Sequence, residues 1–174
     1  MNELKGKKIL FFVHNEYEDL ELNYPLLRMK EAGAVTCVAG PEANKVYEGK
    51  HGVPCKAEKS FEEVSVNDFD ALIIPGGYAP DKIRMSSKAI SLTNDFFSKG
   101  KLVAFICHAG WVPISAKIVE GIKCTSWKSI KDDLVNAGAN WVDEAVVVDK
   151  NVISSRCPDD LPQFCQAIIS YLKK

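Results

Sequence analysis

The sequence predicts a three-layer α/β/α sandwich on a mostly parallel, flavodoxin-like sheet, and three observations predict it. Short apolar runs alternate with helix-spaced segments along the 174 residues. The runs are continuously apolar rather than alternating in and out, as strands covered on both faces are. Most of them stop at glycine, proline or a polar residue that hands the chain over to a helix or turn.

"KKILFFV" (7–13) is the first such run and reads as a buried strand ending at His14 and Asn15. From Glu18 the spacing becomes helical. Leu20, Leu22, Leu26, Leu27 and Met29 can share a face, Gly33 closes the helix, and Pro25 predicts a kink or an irregular early turn. "AVTCVAG" (34–40) is the second strand, and "VYEGKHGVPC" (46–55) has the glycine placement of a small hairpin. "FDALIIPGG" gives a third apolar strand that stops at Pro75-Gly76-Gly77. "SKAISLTNDFFSKG" is a helix with Ser86 or Ser87 as N-cap and Gly100 at its end. "KLVAFIC" is the next strand, followed by a helix over about 110–120 with Pro113 in its first turn. "IKCTSW" is a short strand and "SIKDDLVNAG" a helix ending at Gly138. "WVDEAVVVDKNVISSR" is two strands about a turn at 149–151, and Asp159 or Asp160 caps a last helix. No repeat or linker interrupts the series, which predicts one domain over 1–174.

Composition removes several classes of function. Lys and Arg number 22 against 23 Asp and Glu, for a net charge of -1, so no basic surplus points to nucleic acid. No apolar run is long enough to span a bilayer, and the N-terminus lacks the pattern of a signal peptide, so a cytoplasmic protein is expected. The six cysteines include no CxxC pair and no Cys/His cluster of zinc spacing, and they are expected to be free thiols. No GxGxxG, GxxxxGK[ST] or HExxH occurs, and neither a metal nor a cofactor is expected.

Ligands of such sheets bind beyond the carboxyl ends of the strands. Three of these ends carry chemistry. In "LVAFICHAGW" (102–111) a buried strand stops at Cys107-His108, followed by the small residues Ala109 and Gly110. The position fits the last core thiol of a strand, and it fits a nucleophile elbow, in which a sharp strand-to-helix turn projects a reactive side chain. "IIPGGYAPD" offers a tight turn whose N–H groups could hold an oxyanion, or a plain turn. "NEYEDLEL" supplies Glu16, Glu18, Asp19 and Glu21 at a helix start, where carboxylates complement the dipole and where one facing the cysteine would be a proton donor or thiol partner.

These stretches, in order, resemble the PfpI family of intracellular cysteine proteases in the ThiJ/PfpI superfamily, which is similar to type 1 glutamine amidotransferases. The resemblance is carried by "YEDLELNYPLLRMKEAG", "HGVPCKAEKSFEEV", "FDALIIPGGYAPDKIR", "AFICHAGW", "ISAKIVEG" and "IKDDLVNAGANWVDEAVVVDKNVISSRCPDDLPQF", nearly the whole chain. It implies that Cys107 is the nucleophile, that Glu18 is the buried acid hydrogen-bonded to the thiol, and that Gly76, Gly77 and the His108 N–H form the oxyanion hole. It further implies that Asp81, one methylene shorter than the family's usual Glu, orients His108 across a subunit interface of a homodimer or hexamer. Trp127 stands where some relatives carry a pocket-lining tyrosine, and Cys157 where relatives vary; Cys157 is expected to be structural and near the site. The activity implied is that of a cysteine-dependent peptidase or amidase on small peptides. The alternatives are a glutathione-independent glyoxalase or deglycase acting on 2-oxoaldehydes such as methylglyoxal or their adducts, and a thiol-based sensor of oxidative stress.

Overall fold

The computed structural model describes residues 2–174. The chain lays down β1 (Lys8–Phe12), α1 (Asp19–Glu31), β2 (Val35–Gly40), the hairpin β3 (Val46–Glu48) and β4 (Pro54–Lys56), and β5 (Lys59–Ser60). It continues with β6 (Ala71–Ile74), α2 (Ala79–Ile83), α3 (Ser87–Ser98), β7 (Leu102–Ile106) and α4 (Trp111–Ser115). It finishes with β8 (Lys123–Cys124), α5 (Lys131–Asn136), β9 (Asn140–Trp141), β10 (Val146–Asp149), β11 (Val152–Ser155) and α6 (Leu161–Leu172).

Seven strands form the main sheet in the order β10-β11-β7-β6-β1-β2-β5, all parallel except β10 against β11. The expected mostly parallel α/β architecture is therefore the one observed. Its cause is visible in β1, β6 and β7. Ile9 to Phe12, Ala71 to Ile74 and Leu102 to Ile106 are all fully buried. Each large apolar side chain so buried contributes roughly 1.5–3 kcal/mol, which only a sheet covered on both faces collects along a whole strand. Helix α1 packs on α6 and α3 packs on α4, forming the covering layers. No helix among the described residues is long and apolar enough to cross a membrane.

Several local expectations are corrected. Helix α1 runs unbroken from Asp19 to Glu31 with Pro25 inside it. Its buried face is Glu21, Leu22, Pro25 and Met29, whereas Leu20 and Leu27 are exposed. The helix expected over about 110–120 is two short pieces: a 3-10 turn, Cys107–Gly110, leads into α4, which stops at Ser115 because Lys117 takes a positive φ of 57°. Asp160 does not cap α6 with its side chain; its carboxylate instead takes the Arg156 guanidinium at 2.8 and 3.1 Å. Ser86 caps α3 as expected, accepting from the Ala89 N–H at 3.2 Å.

The chain begins in the middle of the sheet, builds outward through β2 and β5, and returns to the other side of β1 at β6. The carboxyl ends of β1, β6, β7 and β11 are thereby brought side by side. The loops leaving them carry the acidic helix start, Gly76-Gly77, Cys107-His108 and Cys157.

Candidate active site

Cys107 is the first residue beyond β7 and has φ 62°. A non-glycine residue in the left-handed region costs about 1–2 kcal/mol, so the surrounding fold holds it there. The conformation turns the chain at once from the strand into the 3-10 turn and directs the side chain out of the sheet end, the geometry of a nucleophile elbow. The thiol is not sealed in. Cys107 keeps 9 % exposure and opens on a cavity of about 260 Å³ lined also by Glu18, Glu21, Lys50, His108 and Trp127.

The acid against the thiol is Glu21, not Glu18. Glu21 has no exposed surface, its Oε2 accepts the Gly76 N–H at 2.8 Å, its Oε1 has no hydrogen-bond partner, and its carboxyl lies beside Cys107, both closing on Gly76. Glu18 is the N-cap of α1, and its carboxylate turns to the mouth of the cavity, 3.6 Å from Lys50 Nζ and 3.6 Å from His51 Nε2. The reason is helix phase. Glu21 shares the buried stripe with Pro25 and Met29 at i+4 and i+8. The cap residue lies outside that stripe. The signal that finds Glu21 is this register: a carboxylate on the apolar face of an otherwise amphipathic helix.

Burial pushes the Glu21 carboxyl up to about 8, with the nearby Glu18 charge acting in the same direction. Burial also pushes the Cys107 thiol up, and the Glu21 charge adds to it, while the N–H groups of His108 and Gly77 act to lower it. The two groups are coupled: each penalises a negative charge on the other, so near neutral pH both resist ionisation and they do not ionise together. A thiolate at Cys107 therefore forms with Glu21 protonated and donating to it.

The oxyanion donors differ in part from expectation. The amides aimed at the sulfur are those of Gly77 and His108. The Gly76 N–H is spent on Glu21, and its carbonyl accepts from the Glu18 N–H at 3.1 Å, so Gly76 positions the acid rather than an oxyanion. Glycine is required at both positions by close approach. A Cβ on Gly76 would lie 2.5 Å from Glu21 Oε2 and 2.7 Å from Cys107 Cβ. One on Gly77, whose φ is 77°, would lie 2.5 Å from the Glu16 carbonyl oxygen.

The His108 ring lies beside its own cysteine, with Nδ1 3.3 Å from Cys107 Sγ and Nε2 3.1 Å from Ser129 Oγ. Burial, and then the Lys50 charge, hold its pKa below the usual value, so it is a neutral base at pH 7. Asp81 does not reach this constellation within the chain. It lies on α2 and lines outer clefts with Arg84, Trp111 and Lys82. Trp127 lines the cavity, and its backbone N–H donates to the Cys107 carbonyl at 3.3 Å. Cys157, partly exposed, is on the same cavity wall, its Sγ 3.8 Å from Asp160 Oδ2. Sequence reasoning missed both Glu21 as the thiol's acid and Ser129.

Among the described residues one set of potential metal ligands converges, Glu18, Asp19 and His51, with ligand atoms within 4.8 Å of one another. Both Asp19 oxygens there already accept backbone N–H groups, from His51 at 2.8 Å and Val53 at 3.0 Å, and Lys50 already pairs with Glu18. The set works as a clamp that ties the β3–β4 hairpin to the start of α1.

Comparison with known proteins adds a family-level result. The model of the DJ-1/PfpI family matches residues 7–171. A Pyrococcus furiosus protein named "Deglycase PfpI" is 45 % identical, over 95 % of this chain and 99 % of its own. A Bacillus subtilis protein named "Putative cysteine protease YraA" is 40 % identical, over 97 % of this chain and 99 % of its own. Among solved structures, Drosophila melanogaster DJ-1beta superposes with a TM-score of 0.90 at 29 % identity, over 96 % of this chain and 90 % of that one. A two-domain protein of Anabaena variabilis, with DJ-1/ThiJ/PfpI-like and ferritin-like domains, gives 0.94 at 39 % identity; this chain covers 48 % of its length.

Proposed function

The chain belongs to the DJ-1/PfpI family, and on that premise we propose that it is a thiol enzyme acting on small carbonyl compounds, 2-oxoaldehydes or the adducts they form with amines and thiols. The observation that carries the reading is the pairing of Cys107 with a buried acid, Glu21, inside a cavity of about 260 Å³. That space suits a carbonyl compound of a few heavy atoms, and a folded polypeptide would have to unfold to enter it. The name deglycase carried by relatives at 43–46 % identity supports the same reading.

The residues divide the reaction between them. The Cys107 proton passes to His108 Nδ1, 3.3 Å away, leaving its electron pair on sulfur. The thiolate adds to the aldehyde carbon, and the Gly77 and His108 amides hold the oxygen as it gains charge. Glu21, with a pKa raised to about 8 by burial, is poised to give and take a proton at pH 7. It gives its proton to the alkoxide, and the carboxylate so formed carries the C1 proton of the hemithioacetal to C2 while the hydroxyl proton passes from the C1 to the C2 oxygen, which leaves a thioester of a 2-hydroxy acid. Water then releases the acid and restores the thiol, so the net change is one water added to the 2-oxoaldehyde.

A peptidase is the second reading, favoured by the Cys107–His108 contact and the name of the Bacillus subtilis relative. One experiment separates them. Wild type and Cys107→Ser are given methylglyoxal and, separately, a set of short peptide amides, with 2-hydroxy acid and free amine as readouts. The proposal expects hydroxy acid from wild type alone and little amine from either. Full activity of Cys107→Ser on methylglyoxal would overturn it, and amine release by wild type only would transfer the assignment to the peptidase.

A further inference from the structure

The groups around Cys107 are sorted by polarity, and the strand order does the sorting. Cys107 follows β7, which lies between β6 and β11, with β1 beyond β6. On the β6–β1 side stand the polar groups: the Gly77 amide after β6, and Glu18 and Glu21 at the start of the helix that follows β1. Lys50 joins them, because its backbone N–H donates to the Tyr17 carbonyl at 2.8 Å. On the β11 side the lining is apolar. Cys157 and Pro158 follow β11, and Trp127 follows β8, which packs on β11. Tyr78, next to Gly77, is the ring on the polar side and is 59 % exposed.

The apolar wall is held in place. The Trp127 backbone N–H donates to the Cys107 carbonyl at 3.3 Å, and its carbonyl accepts from the Ile130 N–H at 3.2 Å and the Ser126 hydroxyl at 2.9 Å. Pro158 opens the 3-10 turn Pro158–Asp160, whose Asp160 carboxylate takes the Arg156 guanidinium. Yet the Trp127 side of this wall stays open, with the residue 43 % exposed. The indole N–H of Trp111 donates to Asp133 and that of Trp141 to Ser126, whereas that of Trp127 has no partner among the described residues. A large ring fixed at its backbone, set on a reactive cavity and unbonded at its N–H is a surface for a ligand.

We propose that Trp127, Cys157 and Pro158 form a substituent site, which selects 2-oxoaldehydes and adducts that carry an aryl or bulky apolar group over methylglyoxal. The inference rests on the carbonyl reading of the site and names its substrate class. The dicarbonyl end has to lie toward β6 and β1, where the Gly77 amide and Glu21 stand. The substituent on the second carbon then has two directions open to it. Against Glu18 and Lys50 an apolar group would strip water from two charges and return no hydrogen bond. Against the β11 side it meets a ring, a proline and a thiol, and its burial there is favourable. Size points the same way. At roughly 30 Å³ per water-sized group, a cavity of about 260 Å³ holds about eight of them, more than methylglyoxal fills. A phenyl group laid on the Trp127 ring uses the remainder.

The test reads the substituent site without turnover. 2-Bromoacetophenone and bromoacetone offer Cys107 the same α-halo ketone and differ in phenyl against methyl. Each loses bromide to the thiol and leaves a thioether, which peptide mass mapping assigns to Cys107 apart from the other cysteines. The ratio of the two rate constants is divided by the same ratio for free glutathione, which removes the reagents' own reactivity. In wild type the corrected ratio is expected to exceed about ten. It should fall roughly ten-fold in Trp127→Ala and about three-fold in Pro158→Gly, and stay within about three-fold of wild type in Trp127→Phe, which keeps a ring face. A ratio near one in wild type, or the same ratio in wild type and Trp127→Ala, overturns the proposal. So does a Trp127→Phe ratio as low as that of Trp127→Ala, which would give the effect to the indole N–H. The relative kcat/KM for phenylglyoxal and methylglyoxal is expected to follow the same order across the four proteins. Expected alkylation ratios without turnover of either 2-oxoaldehyde would remove the carbonyl reading and leave the substituent site supported. Flat ratios with methylglyoxal turned over would do the reverse.

Discussion

Glu21→Gln tests the protonation state on which the whole site depends. The carboxyl is fully buried and is pushed up from the ordinary 4.5 to about 8, chiefly by burial. Below the ordinary value both the folded and the unfolded chain hold the proton, and Glu21 costs nothing. As pH rises the unfolded chain releases its proton first, so stability falls until the folded group also titrates. Keeping the proton at pH 7 on a group whose unfolded value is near 4.5 costs about 3 kcal/mol. Glutamine keeps a carbonyl oxygen for the Gly76 N–H and has no proton to retain. The variant is therefore expected to be more stable than wild type by about 2–3 kcal/mol at pH 7, shrinking to under about 1 kcal/mol at pH 5. Urea unfolding of both proteins in reductant, from pH 5 to 8, measures this as a difference curve. His14 and His108, both held below the usual histidine value by burial, act in the opposite direction, and their contribution is common to the two proteins. A Glu21→Gln variant less stable at pH 7, with the deficit closing on acidification, would mean that the native carboxylate is ionised, and would refute the reasoning. The same substitution should remove the activity on methylglyoxal, since an amide cannot shuttle the proton.

Other expectations follow from the same geometry. Gly76→Ala forces a methyl to 2.5 Å from Glu21 Oε2 and 2.7 Å from Cys107 Cβ, and is expected to cost about 1–3 kcal/mol in a denaturant titration while slowing alkylation of Cys107. Cys107→Gly should be about 1 kcal/mol more stable than Cys107→Ala, because only glycine relieves the positive φ of 62°; equal stabilities would show that the elbow carries no strain. Lys50→Ala removes the cation that holds His108 down, so the His108 titration followed by NMR should move upward. A downward shift would place the lysine's influence elsewhere.

The parts of this molecule legible in the sequence are those with a one-dimensional cause. Strands buried on both faces must be apolar throughout, so "KKILFFV", "FDALII" and "KLVAFI" announce themselves, and with them the parallel sheet and the strand end at which Cys107 stands. The hairpin over 46–55 and the Ser86 cap are equally local, being set by glycine placement and by one side chain over its own helix. What only the tertiary structure decided is which groups meet across long stretches of chain. Gly76 takes the Glu21 carboxyl from 55 residues away, and His108 meets Ser129 across 21. Four carboxylates near one helix start look alike in sequence, yet Glu16 pairs with Lys82, Glu18 turns to the cavity mouth, Asp19 ties down the hairpin, and Glu21 reaches the thiol. The physical reason is that burial assigns their roles: a rotation of α1 by one residue would carry a different carboxylate into the core, and that phase is set by how the whole helix packs on the sheet, with Pro25 and Met29 inward and Leu20 and Leu27 left in solvent. Composition and motif locate the cysteine at the strand end; the packing of α1 determines which acid lies beside it.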